Sequence, residues 1–166
     1  MMTQEIQVVK VGLGLVLLGL MFGVGMGILF GINEDMYKDY IKQGIVANPA
    51  VHDAKSADKI WRYAQRAHFH GTGIAAFSLG LIILTMMSGM KSRYKKASAI
   101  FLGLSSLYPL SWLTMFLLAP SIGRSAAHEH FLTEIFVYTG VGGLLIGGGI
   151  LCGYLFFGSF RQETSS

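Results

Sequence analysis

The chain has 166 residues, of which 52% are hydrophobic and only 13% charged, with a net charge of +4. A soluble domain carries about 25% charged residues. Here the apolar residues also gather in long runs, which argues against a soluble domain and for a membrane protein. The single cysteine, Cys152, lies in one of those runs. It allows no disulfide framework and reads as a small buried hydrophobe.

The first apolar run, 11–30, is 20 residues without interruption. Helical rise of about 1.5 Å per residue carries such a run across roughly 30 Å of hydrocarbon. It is too long for a signal-peptide core, and no A-x-A cleavage site follows it. Gly19, Gly23, Gly27 and Gly31 recur every four residues along it. That row is a smooth stripe for a close helix contact, either within the chain or between subunits.

An outer segment, 31–66, follows, with Glu34, Asp35, Asp39, Asp53 and Asp58 among its charges. It reads as a solvated cap, and His52 within it has no assigned role. Its last part, "SADKIWRYAQRAH", reads as a helix start with Ser56 as the N-cap, continuous with the second span, about 70–90.

The connection "KSRYKK", 91–96, holds Lys91, Arg93, Lys95 and Lys96 with no acid. Short loops rich in lysine and arginine stay cytoplasmic, which places both termini in the cytoplasm as well. The third span, about 97–119, contains Pro109, which should kink it and free the carbonyl of Ser105. The fourth span, about 134–158, carries the small-residue pairs Gly143/Gly147 and Gly149/Gly153. Helices satisfy their own backbone groups in lipid. The fold class is therefore all-α: a single integral membrane domain, 1–166, built as a bundle of four transmembrane helices.

Polar residues collect on one membrane face. Counting back 23 residues from Lys91 puts His68 about 34 Å away, at the outer hydrocarbon edge. His70 is slightly deeper, and "HEHFLTE" brings His128, His130 and Glu134 to the same face. Glu134 lies one turn after His130. Ionisable groups inside a membrane are costly and serve function by default. Residues two apart on a helix point about 200° apart, so neither histidine pair chelates one ion by itself. A shared site takes one histidine from each helix.

Imidazole suits iron, copper, zinc and nickel, and the lack of a nearby cysteine argues against structural zinc. A haem needs one or two axial histidines, an apolar slot, and cations near its propionates. His68, His70 and His130 supply the first, and Arg62, Arg66 and Arg124 the last. The histidines are equally compatible with interfacial polar residues that hold nothing. Tyr108, Ser111 and Met115 share one face of the third span, and either line a pocket or pack with local hydroxyl-to-backbone bonds. Trp61, Trp112, Tyr63 and Tyr138 fit interfacial or packing aromatics.

"LMFGVGMGILFG", a long outer segment and then "WRYAQRAHFHG" resemble the arrangement in styrene oxide isomerase. The resemblance covers about 16–71, together with length and span count. It implies a small four-span protein of the bacterial inner membrane, assembled as a trimer. It also implies a b-type haem held on His68, with Arg66 beside it, and a ferric iron that opens an epoxide to a carbonyl compound. The substrate-handling groups match less well. The family's asparagine falls on Ile74-Ala75-Ala76, and its third-span tyrosine falls near Thr114, with Tyr108 the nearest tyrosine and about 18 Å below Pro120.

Two other functions fit the residues. One is a non-enzymatic haem protein for electron transfer or sensing, with His130 as second axial ligand to His68. The other is a membrane protein binding a metal without haem. Nothing in the sequence suggests a nucleic-acid partner; the expected partners are the lipid bilayer, a small hydrophobic substrate and further copies of the chain.

Overall fold

Apolar runs of this length can hide their backbone from lipid only by coiling, and the computed structural model, which describes residues 2–161, is helical almost throughout. Helix α1 spans Met2–Ala47, α2 Ser56–Met87, α3 Ser92–Leu104, α4 Tyr108–Ile122, α5 Arg124–His128 and α6 Phe131–Phe157. One-turn 3-10 segments lie at Pro49–Val51 and Ser105–Leu107. Four units are long and apolar enough to cross a membrane: Thr3–Ala47, Ser56–Met87, Ser92–Ile122 and Phe131–Phe157.

The third unit breaks where proline requires it. Pro109 has no N–H to donate, so the helix tightens into the 3-10 turn Ser105–Leu107 and restarts at Tyr108. The Ser105 carbonyl accepts the N–H of Tyr108 instead. This broken unit is the centre of the bundle. Half of its most apolar stretch is buried, against 22–28% for the other three. α1 packs on α2 and α3, while α6 packs on α3 and α4.

Hydroxyl pairs tie the centre to α2. Ser78 and Ser105 lie 2.7 Å apart, and Thr85 and Ser98 3.3 Å apart, all fully buried. From the first pair to the second is seven residues forward along α2 and seven back along the third unit, as antiparallel neighbours require. Ser98 also donates to the Gly147 carbonyl of α6 at 2.9 Å. Such bonds hold helices together where water cannot compete.

The glycine rows are consumed inside the chain. A Cβ on Gly19 would meet Ser106 at 2.6 Å, on Gly23 the backbone of Thr72 at 2.5 Å, and on Gly27 the ring of His68 at 2.6 Å. On α6, Gly143 and Gly147 press on Phe101 and Leu102. Only Gly31 and Gly149 face open space among the glycines of the two rows.

The outer segment 31–66 is largely helix, not loop. α1 continues through Asn33, whose non-helical backbone marks a break and whose Oδ1 accepts the N–H of Met36 at 3.1 Å. Residues 34–47 then form an amphipathic helix that buries Tyr37 and Ile41. α1 has 46 residues, about 69 Å, so it extends well beyond a roughly 30 Å hydrocarbon layer. The true connector is 48–55. Ser56 is the first residue of α2 rather than its cap; it exchanges bonds with Asp53, accepting its N–H and donating to its Oδ1, both at 3.0 Å.

At the opposite end, the basic turn is shorter than 91–96, because α3 already starts at Ser92. Lys95 is buried and paired with Glu5 at 2.7 Å, and also donates to the Met86 carbonyl at 3.0 Å. Lys91 N–H donates to the Phe160 carbonyl at 3.0 Å, and Gly89 N–H to the Tyr154 hydroxyl at 2.9 Å. The start of α1, the α2–α3 turn and the end of α6 thus share one end of the bundle. Cys152 is exposed on α6, contrary to the buried assignment. A lipid-facing position is as apolar as a core position, so its neighbours in sequence did not distinguish the two.

Candidate functional site

The outer half of α2 presents its two histidines to different neighbours, as helical geometry demands. His68 faces α1. Its Nδ1 lies 2.7 Å from the carbonyl oxygen of Gly23. A carbonyl only accepts, so Nδ1 carries the proton and, in the neutral ring, Nε2 keeps its lone pair. Nε2 has no hydrogen-bond partner among the described residues and is not among the buried polar atoms left unpaired. Gly27 makes room for the ring, and Phe30 and Phe69 stand 5.9 and 5.1 Å away, centroid to centroid.

His70 faces α4. It stacks on Trp112 at 5.8 Å and 14°, and meets Tyr108 edge-on at 5.2 Å. Arg66, one turn outward on the same face, lays its guanidinium over Trp112 at 4.6 Å. This is a cation–π contact, so Arg66 sits on the His70 side of the helix and not on that of His68. Arg62 is exposed and carries no ion pair among the described residues.

The remaining polar residues have structural employment. Arg124 pairs with Asp53 at 3.0 Å and pins α5 to the connector. His130 caps α6, its Nδ1 accepting the Leu132 N–H at 3.3 Å. Glu134 meets His130 through the backbone, its N–H reaching the His130 carbonyl at 3.1 Å. Thr114 donates to the Leu110 carbonyl at 2.8 Å, one turn back on its own helix. These bonds explain Thr114 and Arg124 without a ligand.

His68 and His130 are not brought together within one chain. His68 turns toward α1, whereas α6 packs on α3 and α4. Nor does any cluster of three or more histidine, cysteine, aspartate or glutamate side chains form among the described residues.

Tyr108, Ser111 and Met115 do line a cavity. It lies between α4 and α6, holds about 280 Å³, and is completed by Trp112, Val137, Tyr138 and Val141. His128 and Glu134 stand at its outer end, with Thr133, whose hydroxyl is already donated to the Ala127 carbonyl at 2.8 Å. Ser111 also donates to the Tyr108 carbonyl at 2.7 Å, so the pocket and the local backbone bond coexist. A cavity of about 150 Å³ accommodates benzene, which scales to roughly eleven heavy atoms here; a porphyrin, with roughly forty, does not fit.

One cluster has no clear signal in the sequence. Pro120 lies inside α4, near its end, and its carbonyl would be orphaned there. His52 Nε2 donates to it at 3.0 Å, and Asn48 reaches it at 3.4 Å. Tyr40 donates to the Leu117 carbonyl at 2.6 Å. The connector thereby straps the outer end of α4. Asp53 anchors this strap, and the Ser56 hydroxyl, the Lys55 N–H and Arg124 together hold its carboxyl below the ordinary carboxylate value.

Comparison with family models, with curated proteins and with solved structures returns no match, so the chemistry of the site rests on these residues alone.

Proposed function

We propose that this chain is a multi-pass protein of the bacterial inner membrane with cytoplasmic termini, that it holds a b-type haem on His68, and that it works in the manner of styrene oxide isomerase, converting an epoxide to a carbonyl compound as a homotrimer. The observation that carries this reading is the 2.7 Å bond from His68 Nδ1 to the Gly23 carbonyl. Histidines that ligate metals almost always donate their other ring N–H to such a group, which sets the tautomer, orients the ring and raises its basicity. Nε2 is then the ligating atom.

The residues around His68 fit that role. Gly27 makes the room that the ring itself occupies, and Phe30 and Phe69 supply apolar surface. Arg66 and Arg124 are engaged with Trp112 and Asp53, and Arg62, exposed and one turn before Arg66, lies on the Arg66 side of α2, so the propionates would be left to solvent at the helix end. When bound, ferric haem supplies a Lewis acid with an open coordination position for the epoxide oxygen. The chain's part is to hold one imidazole in a fixed tautomer, exclude water and orient a small hydrophobic substrate.

The bis-histidine alternative draws no support, because His130 caps α6 away from His68. A haem-free metal site needs several convergent side chains, whereas haem needs only one histidine. The cytoplasmic assignment of the termini rests on Lys91, Arg93 and Lys96 at the turn end, since Lys95 is neutralised by Glu5.

The test is spectroscopic. The protein purified in detergent should show a Soret band, lost in His68→Ala and retained in His130→Ala, and the loaded protein should convert an aryl epoxide to its aldehyde. A Soret band that survives His68→Ala, or protein that takes up no haem, overturns the proposal.

A further inference from the structure

The cavity between α4 and α6 lies on the far side of α2 from the Gly23–His68 contact, and nothing in the haem reading uses it. Its polar and apolar groups are not mixed at random. α4 and α6 run in opposite directions, so Tyr108 and Val141 sit together at the deep end while Met115 and Glu134 sit together near the outer face. From Glu134 to Val141 is seven residues of α6, about 10 Å of slot. Its outer mouth has His128 and Glu134, both exposed, and its flank has Tyr138 and Val141, 72% and 40% exposed on the side that faces lipid.

Two side-chain donors of the lining have no partner among the described residues, the Tyr108 hydroxyl at the deep end and the buried Nε1 of Trp112 one turn away. The Tyr108 hydroxyl is not among the buried polar atoms left unpaired, so it remains reachable. No charged side chain lines that end. A ligand charge there would be desolvated without compensation, at a cost of several kcal/mol. A hydrocarbon would leave the phenol unpaired.

The geometry points to this cavity as a binding site for a small, neutral, membrane-soluble amphiphile: a body of roughly eleven heavy atoms with a hydroxyl, ether or carbonyl oxygen that meets the Tyr108 hydroxyl. Trp112, Val137 and Val141 hold the body. The ligand enters laterally past Tyr138, since such a molecule is concentrated in the bilayer.

The inference is independent of the haem on His68, and its test uses His68→Ala protein in detergent, so either can fail alone. The probe is 2-naphthol, with naphthalene as the same body without oxygen and 2-naphthylmethylammonium as a charged one. Equilibrium dialysis of each compound against the protein in detergent, with protein-free micelles as the blank, reports binding. Saturable binding of 2-naphthol is expected, weakened about tenfold in Tyr108→Phe, the loss of one hydrogen bond. Naphthalene should match that weakened level in either background, and the ammonium should bind more weakly still. Val137→Trp, which fills the slot, should abolish saturable binding of 2-naphthol; Val141→Phe serves the same purpose if that variant does not fold. Equal binding of naphthol and naphthalene, no effect of Tyr108→Phe, or binding that survives the filled slot overturns the assignment.

Discussion

His68 of α2 and Gly23 of α1 are joined by a 2.7 Å hydrogen bond from ring nitrogen to main-chain carbonyl. The contact exists because glycines at 23 and 27 let α1 approach α2 closely enough for an imidazole to reach backbone. Fold and candidate chemistry therefore depend on the same two residues.

The two glycines should separate these roles. A Cβ at Gly23 would lie 2.5 Å from the backbone nitrogen of Thr72, which cannot yield, so Gly23→Ala should cost about 1–3 kcal/mol. The three atoms nearest a Cβ at Gly27 all belong to the His68 side-chain ring, not to backbone. Gly27→Ala should leave thermal unfolding nearly unchanged while displacing the ring and lowering haem uptake. Gly14, with nothing within 4 Å, is the control, and Gly14→Ala should not reduce stability.

Lys95 is buried and Glu5 half-exposed, and the two form an ion pair of 2.7 Å. Glu5→Gln removes the counter-charge and leaves the ammonium only neutral acceptors, the Met86 carbonyl and the glutamine amide oxygen. It should destabilise by about 1–3 kcal/mol, less than for a fully buried pair because water reaches the glutamate. Lys95→Met removes the charge together with its need for a partner and should cost less. Denaturation in detergent, compared across the two variants, checks the order.

Acidification should loosen the outer strap first. The folded-state pKa of Asp53 is depressed by Ser56, the Lys55 N–H and Arg124. A depressed carboxylate contributes stability that is present above its unfolded pKa and lost as pH falls through its folded pKa. Proteolysis of the 48–55 connector should therefore accelerate at acid pH, below the ordinary carboxylate range. Asp53→Asn should be cleaved faster at neutral pH and should lose that dependence.

The cap and the strap should prove structural. His130→Ala removes the acceptor for Leu132 N–H and should cost about 0.5–1.5 kcal/mol without altering any haem spectrum. Tyr40→Phe frees the Leu117 carbonyl and should cost a similar amount, about 0.5–1.5 kcal/mol, read as faster hydrogen exchange at the end of α4. A low-spin to high-spin change in His130→Ala would restore the two-histidine alternative.

Much of the architecture was legible in the residues. Four apolar runs had to be four helices, because continuous runs of about 20 residues match a helical crossing and are twice the length of a barrel strand. Pro109 had to interrupt the third, and it does so at Ser105. His68 and His70 had to face apart, since two residues are a little over half a turn of helix. Tyr108, Ser111 and Met115 had to share a face, and that face lines the α4–α6 cavity. The amphipathic pattern of 34–47 was present too, but its acidic residues masked Tyr37, Ile41 and Gly44.

What the residues left open follows from the solvent. In water a buried face is more apolar than an exposed one, so sequence alone separates inside from outside. In helices apolar enough to cross a membrane both faces are apolar, so Cys152 could not be placed on the surface, nor the glycine rows inside the chain, until the helices were docked. The polar residues were equally undecided. Arg66, Arg124, His130 and Thr114 each went to whichever ring, carboxylate or backbone group the tertiary structure left within reach, and that choice left His68 Nε2 without a hydrogen-bond partner among the described residues.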